Sequence, residues 1–289
     1  MKLRNKTIYG IIGNPLHQSL SPAMHNAAFK ALGVDAVYKL FPLEENELEN
    51  FFAELKEINN PIFGLNVTVP YKEKILPYMN SLAPLAQKIQ AVNTIVISQD
   101  RQLMGYNTDA PGFLAHLTEL GFSTKDKRIT ILGAGGSARA IVSTLCLMPE
   151  RPMSIKIYNR TPSRAKELIQ DLSTRFNADT VEVANTVDEL DLELADLLIN
   201  TTSVGLNAED IGFIPEGLLH RHLLVYDLIY NPSETALIKM AKKKGARVSN
   251  GLGMLYYQGV LALQHWANMQ LDGHVKKVMR EALERAVRQ

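Results

Sequence analysis

The chain of 289 residues is short of several things, and each shortage excludes a class of protein. It has one cysteine, Cys146, so no internal disulfide can form; flanked by Leu145 and Leu147, that residue reads as a small core hydrophobe. It has no excess of one charge: 31 basic residues against 30 acidic ones leave +1, without the single-sign field that nucleic acid or an anionic membrane selects. No apolar run approaches the ~18 residues of a membrane span. After Lys2, Arg4 and Lys6 the apolar segment Ile8 to Ile12 is interrupted by Gly10 and stopped by Asn14-Pro15, too short for a secretory signal. His220 and His222 flank Arg221 with no further spaced ligands, so they read as a polar loop and no metal is expected. A cytoplasmic protein with small-molecule partners, rather than nucleic acid or membrane, is the expectation, as a monomer or homodimer.

What is present is a globular composition, 46% hydrophobic and 21% charged, long enough for one large domain or two ordinary ones. Strand and helix patterns alternate throughout. "TIYGIIG" reads as a strand, "SPAMHNAAFKALG" as a helix with Pro22 at its first position and Gly33 at its end, and "AVYKLFPL" as a strand. A helix over "NELENFFAELKEI" then leads to the strand "GLNVTVP", the order of a parallel α/β sheet. Near residue 105 the pattern changes: "GYNTDAPGFLAHLTELGF" carries apolar residues at helical spacing, Phe113, Leu114, Leu117 and Leu120, and a polar linker then precedes a second set of alternations. These are the strand "ITILG", helix 137–147, strand 154–158, helix 163–176, strand 180–184, helix 187–193 and strand 195–200. "LLVYDLIY" and "RVSN" add two strands, "KMAKKKGAR" reads as an exposed helix end, and helices 252–268 and 274–287 close the chain.

"ITILGAGGSARAIVSTL" places Gly133, Gly135 and Ala138 at the spacing G-x-G-x-x-A, after an apolar strand and at a helix start. Gly133 permits the tight turn, Gly135 lets a pyrophosphate approach the backbone, and Ala138 lets helix and strand pack closely. At the end of the next strand, where an acidic side chain would hold the ribose of NAD, stand Asn159, Arg160, Thr161 and Arg164. Two guanidiniums and no carboxylate suit a 2′-phosphate, so NADP is the expected cofactor.

Lys72 follows the strand that Pro70 closes, where it is either surface charge or chemistry. Other polar residues gather at element ends in "HQSLSPAMHN", "NVTVPYK", "AVNT" and "GYNTD". Each has a local use: Ser21 can cap a helix, Asn93 can make a turn and Asp109 can cap the helix after Ala110. Together they offer hydroxyls, amides, an ammonium and a carboxylate, an inventory for a polyhydroxylated substrate and proton transfer to oxygen.

The ordered set "SLSPAMHNAAF", "NVTVPYK", "AVNT", "GYNTDAPGF", "GAGGSARA", "NRTPSR", "NTTSVG", "YDLIYNP" and "NGLGMLYYQG" resembles the shikimate dehydrogenase family from about residue 9 to 260. The resemblance implies an NADP-dependent, reversible reduction of 3-dehydroshikimate to shikimate in aromatic amino-acid biosynthesis. It implies a two-domain α/β fold: an N-terminal α/β substrate domain, 1–105, to which the C-terminal helices, 252–289, return, and a Rossmann-type NADP-binding domain, 106–251. The two would face each other across a cleft that closes on ligands.

Position by position, the resemblance assigns Ser19, Ser21, Thr68, Asn93 and Gln258 to the substrate, with Tyr230 nearby, and makes Lys72 and Asp109 the catalytic pair. Gly133, Ala134, Gly135, Gly136, Ser137, Ala138, Asn159, Arg160, Thr161, Arg164, Thr201 and Gly251 would line the cofactor. Tyr71 stands where phenylalanine or methionine is commoner in the family, and Ala236 where proline is usual. A quinate/shikimate dehydrogenase, or a non-catalytic metabolite sensor on the same fold, is the alternative; the presence of both Lys72 and Asp109 speaks against the sensor.

Overall fold

The computed structural model describes residues 6–207, 209–210 and 212–288; Lys2 and Arg4 lie outside them. The chain divides into two compact units, Met1–Gly112 with Leu255–Gln289, and Phe113–Met254.

The first unit contains β1 (Thr7–Gly13), α1 (Ser21–Leu32), β2 (Ala36–Pro42), α2 (Leu48–Leu55), β3 (Ile62–Val67), β4 (Ser81–Leu82), α3 (Pro84–Ile89), β5 (Thr94–Ile97), β6 (Leu103–Tyr106) and the start of α4 (Asp109–Glu119). Pro22 opens α1 and Gly33, left-handed at φ 66°, ends it, as the sequence implies. Ser21 makes no capping bond, because the helix begins on it and Leu20 is the cap residue.

The sheet runs β2-β1-β3-β5-β6-β4 and is mixed rather than parallel. β1, β2 and β3 are parallel, but β5 runs antiparallel to both β3 and β6. The β5–β6 pairing has a local cause: Ser98–Gln102 is too short for a parallel crossover, and Arg101, left-handed at φ 63°, closes a hairpin there. The strand expected to reach Pro70 ends at Val67; Thr68 accepts from the Tyr71 amide in a turn, and Val69 is exposed. Ile12, Leu65, Val67, Ile95 and Leu103 from the sheet pack with Phe52 and Leu55 of α2 into one core.

The second unit contains the rest of α4, then β7 (Arg128–Leu132), α5 (Gly136–Leu147), β8 (Ser154–Tyr158), α6 (Pro162–Ser173), β9 (Val181–Ala184), β10 (Leu197–Asn200), β11 (Leu224–Asp227), α7 (Ala236–Lys243), β12 (Arg247–Ser249) and the first turn of α8 (Leu252–Ala267). The rest of α8, with α9 (Gly273–Val287), belongs to the first unit, where α9 packs on α1. The second sheet is wholly parallel in the order β12-β11-β10-β7-β8-β9, the doubly wound arrangement, and its strand order reverses between β7 and β10. The helix expected over 187–193 is replaced by two 3-10 turns, Asp188–Leu190 and Leu192–Leu194, separated by left-handed Asp191. Cys146 is core, as expected, and burial pushes its thiol up to about 11.

Candidate active site

In the first unit the antiparallel β5 decides what can meet. Because β5 runs against β3 and β6, its first residues lie beside the last residues of both neighbours: the Val67 amide donates to the Asn93 carbonyl at 2.9 Å, and the Asn93 amide to the Tyr106 carbonyl at 3.0 Å. The same sheet edge carries the end of β1, where the Thr68 amide donates to the Ile12 carbonyl and the Asn14 amide to the Val69 carbonyl. The segments bearing Thr68, Lys72, Asn93 and Asp109 are thereby gathered at one edge. A parallel β5 would have sent Asn93 to the opposite one.

Lys72 sits in the turn after β3, its carbonyl accepting from the Val92 amide at 2.8 Å. Its Nζ donates to Asp109 Oδ2 at 2.7 Å, and the two side chains are only 10% and 8% exposed. Asp109 opens α4 but does not cap it; Asn107 does, its Oδ1 accepting from the Ala110 amide at 3.1 Å, which leaves the carboxylate to the lysine. A buried ion pair costs desolvation that an apolar pair would avoid, so stability alone is a poor reason to keep one.

Asn93 is buried, not a turn residue. Its Nδ2 donates to Thr108 Oγ1 at 2.9 Å and reaches Gln258 Oε1 of α8 at 3.4 Å, while its Oδ1 accepts from the Thr108 amide at 2.7 Å. Gly112 lets α8 approach: a side chain there would meet the Gln258 backbone within 2.8 Å. Ser21 is buried and Ser19 and Thr68 half-buried, Thr68 packed on Gly13 so closely that a side chain at 13 would collide with it. Two supporting residues escaped the sequence reading. Thr108 ties Asn93 to Thr94, and Asn66 donates to the Asn93 carbonyl at 3.2 Å and to Thr94 Oγ1 at 3.1 Å while accepting from the Tyr38 hydroxyl. The available signal was an amide inside the apolar strand "GLNV", since a buried polar group needs partners. Tyr71, beside the lysine, is buried and donates its hydroxyl to the Leu43 carbonyl at 2.6 Å.

In the second unit the glycine turn follows β7 at the strand-order reversal. Gly133 has φ 104°, and a side chain there would strike Thr201 Oγ1, so glycine is required twice over. Thr201 is held by its hydroxyl, which donates to the Leu132 carbonyl at 2.7 Å. Ala134 is partly exposed, Gly135 faces open space, and α5 starts at Gly136 and Ser137 with no side-chain cap. Ala138 is wholly buried in the sheet–helix core. Beyond β8, Asn159 Nδ2 donates to the Thr161 carbonyl at 2.8 Å and shapes the turn from which Arg160 and Arg164 project, both exposed. A side-chain-free turn, a helix start without a side-chain cap and two guanidiniums fit a dinucleotide carrying an extra phosphate. Gly251 abuts the Leu228 carbonyl where no side chain fits, and Tyr230 lies half-buried in the loop after β11. Among the described residues no group of histidine, cysteine, aspartate or glutamate could hold a metal ion.

A doubly wound nucleotide-binding unit, paired in one chain with an α/β unit that buries an ammonium–carboxylate pair, is the build of a nicotinamide-dependent oxidoreductase. The family models agree in both units: residues 11–95 match the shikimate dehydrogenase substrate binding domain, and residues 116–207 match shikimate/quinate 5-dehydrogenase. The chain belongs to the shikimate dehydrogenase family. It is 42% identical over 281 residues to the NADP(+) shikimate dehydrogenase of Moorella thermoacetica, covering 96% of this chain and 93% of that one. Its fold matches the shikimate dehydrogenase of Aquifex aeolicus with a TM-score of 0.86 at 36% identity, over 100% of both chains. It also matches the Thermus thermophilus enzyme, solved with NADP(H) and shikimate, with a TM-score of 0.82 at 35% identity over 97% of this chain and 99% of that one.

Proposed function

We propose that this chain catalyses the NADP-dependent, reversible reduction of 3-dehydroshikimate to shikimate, with Lys72 as the acid–base group and Asp109 as its partner. The observation that carries the assignment of roles is the buried 2.7 Å contact between Lys72 Nζ and Asp109 Oδ2, at the sheet edge that also presents Asn93. Bound NADPH supplies a hydride to the substrate carbonyl carbon. The negative charge that develops on the carbonyl oxygen is stabilised by the Lys72 ammonium, which then gives that oxygen a proton and leaves a hydroxyl and a neutral amine. In the oxidative direction the neutral amine takes the hydroxyl proton. Asp109 orients the amine through a charge-assisted bond and accepts from a substrate hydroxyl.

Ser19, Ser21, Thr68, Asn93, Gln258 and Tyr230 bind the remaining hydroxyls and the carboxylate of the acid. The unit of residues 1–112 and 255–289, which carries Asp109 as well as Lys72 and so replaces the 1–105 and 252–289 expected from the sequence, is the substrate half, and 113–254 is the cofactor half. There Gly133 to Ser137 cradle the pyrophosphate while buried Ala138 packs α5 on the sheet beneath them, Asn159, Arg160, Thr161 and Arg164 hold the 2′-phosphate, and Thr201 and Gly251 flank the nicotinamide end. The enzyme acts on a dissolved small molecule in the cytoplasm, as a monomer or homodimer, without a nucleic-acid or membrane partner. No helix among the described residues is long and apolar enough to cross a membrane.

The test is NADP+ reduction followed at 340 nm with shikimate and with quinate. Turnover of shikimate with a kcat/KM well above that for quinate is expected. No turnover of either, or a preference for quinate, rejects the assignment.

A further inference from the structure

Asp227, the last residue of β11, is wholly buried, and no step above uses it. Burial pushes its carboxyl above the ordinary carboxylate range, and its hydrogen-bond partners oppose that rise. Those partners are neutral and come from three places. Oδ1 accepts from Asn200 Nδ2 at 2.9 Å and from the Ile229 amide at 3.1 Å, and Oδ2 accepts from Thr235 Oγ1 at 2.7 Å. A buried carboxylate held only by neutral donors is a costly way to fill a core position, so its value lies in what those donors hold.

Each donor leads into a loop. Asn200 ends β10, and its Oδ1 accepts from the Thr202 amide and hydroxyl at 3.0 and 2.7 Å while its Nδ2 also reaches the Val204 carbonyl, so the turn containing Thr201 is laced to it. Thr235 closes the loop that bears Tyr230, and it caps α7 by accepting from the Ile238 amide. Ile229, fixed through its amide, offers its carbonyl to the Gly251 amide at 3.3 Å. The first two loops also touch directly: a side chain at Gly205, φ 112°, would meet Thr235 Cβ at 3.2 Å and Ile229 Cδ1 at 3.3 Å. Thr201, Tyr230 and Gly251 are the three residues of this unit assigned to the site outside the glycine turn and the arginine loop; Thr201, itself bonded to the Leu132 carbonyl, lies between Asn200 and Thr202 of the laced turn, Tyr230 between Ile229 and Thr235, and Gly251 against the Ile229 carbonyl, so each adjoins a group that this carboxylate fixes.

We infer that Asp227 is a positioning residue that sets the loops of Thr201, Tyr230 and Gly251 for cofactor and substrate at once, an inference that rests on the site assignment above. Asp227→Asn keeps an acceptor for Asn200 and Ile229, and the Thr235 hydroxyl can turn to accept from its amide; Asp227→Leu keeps the bulk and removes every acceptor. Thr235→Val removes the bond to Asp227 together with the α7 cap while leaving the Asn200 and Ile229 bonds to Asp227 in place, and Thr235→Ser keeps the hydroxyl that makes both.

The experiment combines thermal melts, NADPH fluorescence titration and steady-state shikimate oxidation on the full chain. Asp227→Asn is expected within about threefold of wild type, and Asp227→Leu to weaken NADPH about tenfold and raise the shikimate KM by a similar factor. Thr235→Val is expected to raise the shikimate KM while leaving NADPH affinity within about twofold, with Thr235→Ser returning the KM to wild type. A folded Asp227→Leu whose melting temperature falls while NADPH affinity and both KM values stay within about twofold of wild type overturns the inference. If Asp227→Leu does not fold, equal shikimate KM values for wild type, Thr235→Val and Thr235→Ser overturn it. If the wild type oxidises no shikimate, the functional assignment fails, and the NADPH titration still decides: unchanged affinity in Asp227→Leu overturns the positioning role, and weakened affinity supports it.

Discussion

The first unit presents side chains that are buried and bonded to one another, whereas the second presents backbone edges and exposed cations. Lys72 with Asp109, and Asn93 with Thr108 and Gln258, are bonded to one another. Gly133 and Gly135 instead present bare backbone, and Arg160 and Arg164 project exposed guanidiniums. The contrast suits the two tasks proposed for these units. Proton transfer needs a group fixed within hydrogen-bond reach in a dry setting, so preorganisation there enters the rate; holding phosphates needs amides and charge at a surface, so loss there enters affinity.

The largest effect should come from breaking the buried pair. Lys72→Ala is expected to lower kcat by roughly 10²–10⁴ with a smaller change in KM, measured as NADP+ reduction under saturating shikimate. Near-full turnover would mean that the two units do not divide the work in this way. On the exposed side, Arg160→Ala should weaken NADP about 10- to 150-fold and leave NAD little changed, with kcat at saturation nearly intact. Equal losses with both cofactors would take the arginine out of phosphate recognition.

A third outcome concerns stability in the first unit. His25 on α1 is wholly buried against Tyr38, Phe29 and Trp266, neither ring nitrogen has a partner, and burial lowers its pKa from 6.5 to about 3. The folded state therefore binds fewer protons than the unfolded chain between those values, so this contribution is complete above pH 6.5 and is lost as pH falls toward 3. Denaturant titrations at pH 7 and pH 5 should differ by about 2 kcal/mol from this residue, and His25→Phe, which keeps the stacking, should remove that part of the slope. The smallest effect belongs to Tyr71→Phe, which loses the bond to the Leu43 carbonyl: about 1 kcal/mol of stability, with kcat within about threefold.

The second unit was the more legible in sequence, for a physical reason. Its sheet is wholly parallel, and β7, β8, β11 and β12 are each followed by a helix, so periodicity orders most of the elements; the glycine spacing then marks the strand from which the order reverses. In the first unit, Lys72 and Asp109 could be picked out as polar residues at element ends, but their contact, and the arrival of Asn93 at the same edge, depend on an antiparallel β5. The short strands β4, β5 and β6 and the hairpin at Arg101 carry too few residues for periodicity to register. The partners of Asn66, His25 and Asp227 were illegible for a common reason. Each is a polar residue inside an apolar stretch, and which groups satisfy it, or in the case of His25 fail to, is settled by chain segments far away in sequence.

Lys72→Arg separates proton transfer from mere charge, because a guanidinium keeps the positive charge at position 72 and does not give up its proton near neutral pH. With shikimate and NADP+ saturating, the expected result is a substrate KM within a few-fold of wild type and a kcat lower by roughly 10²–10⁴. An arginine enzyme that turns over near the wild-type rate would contradict the acid–base role of Lys72.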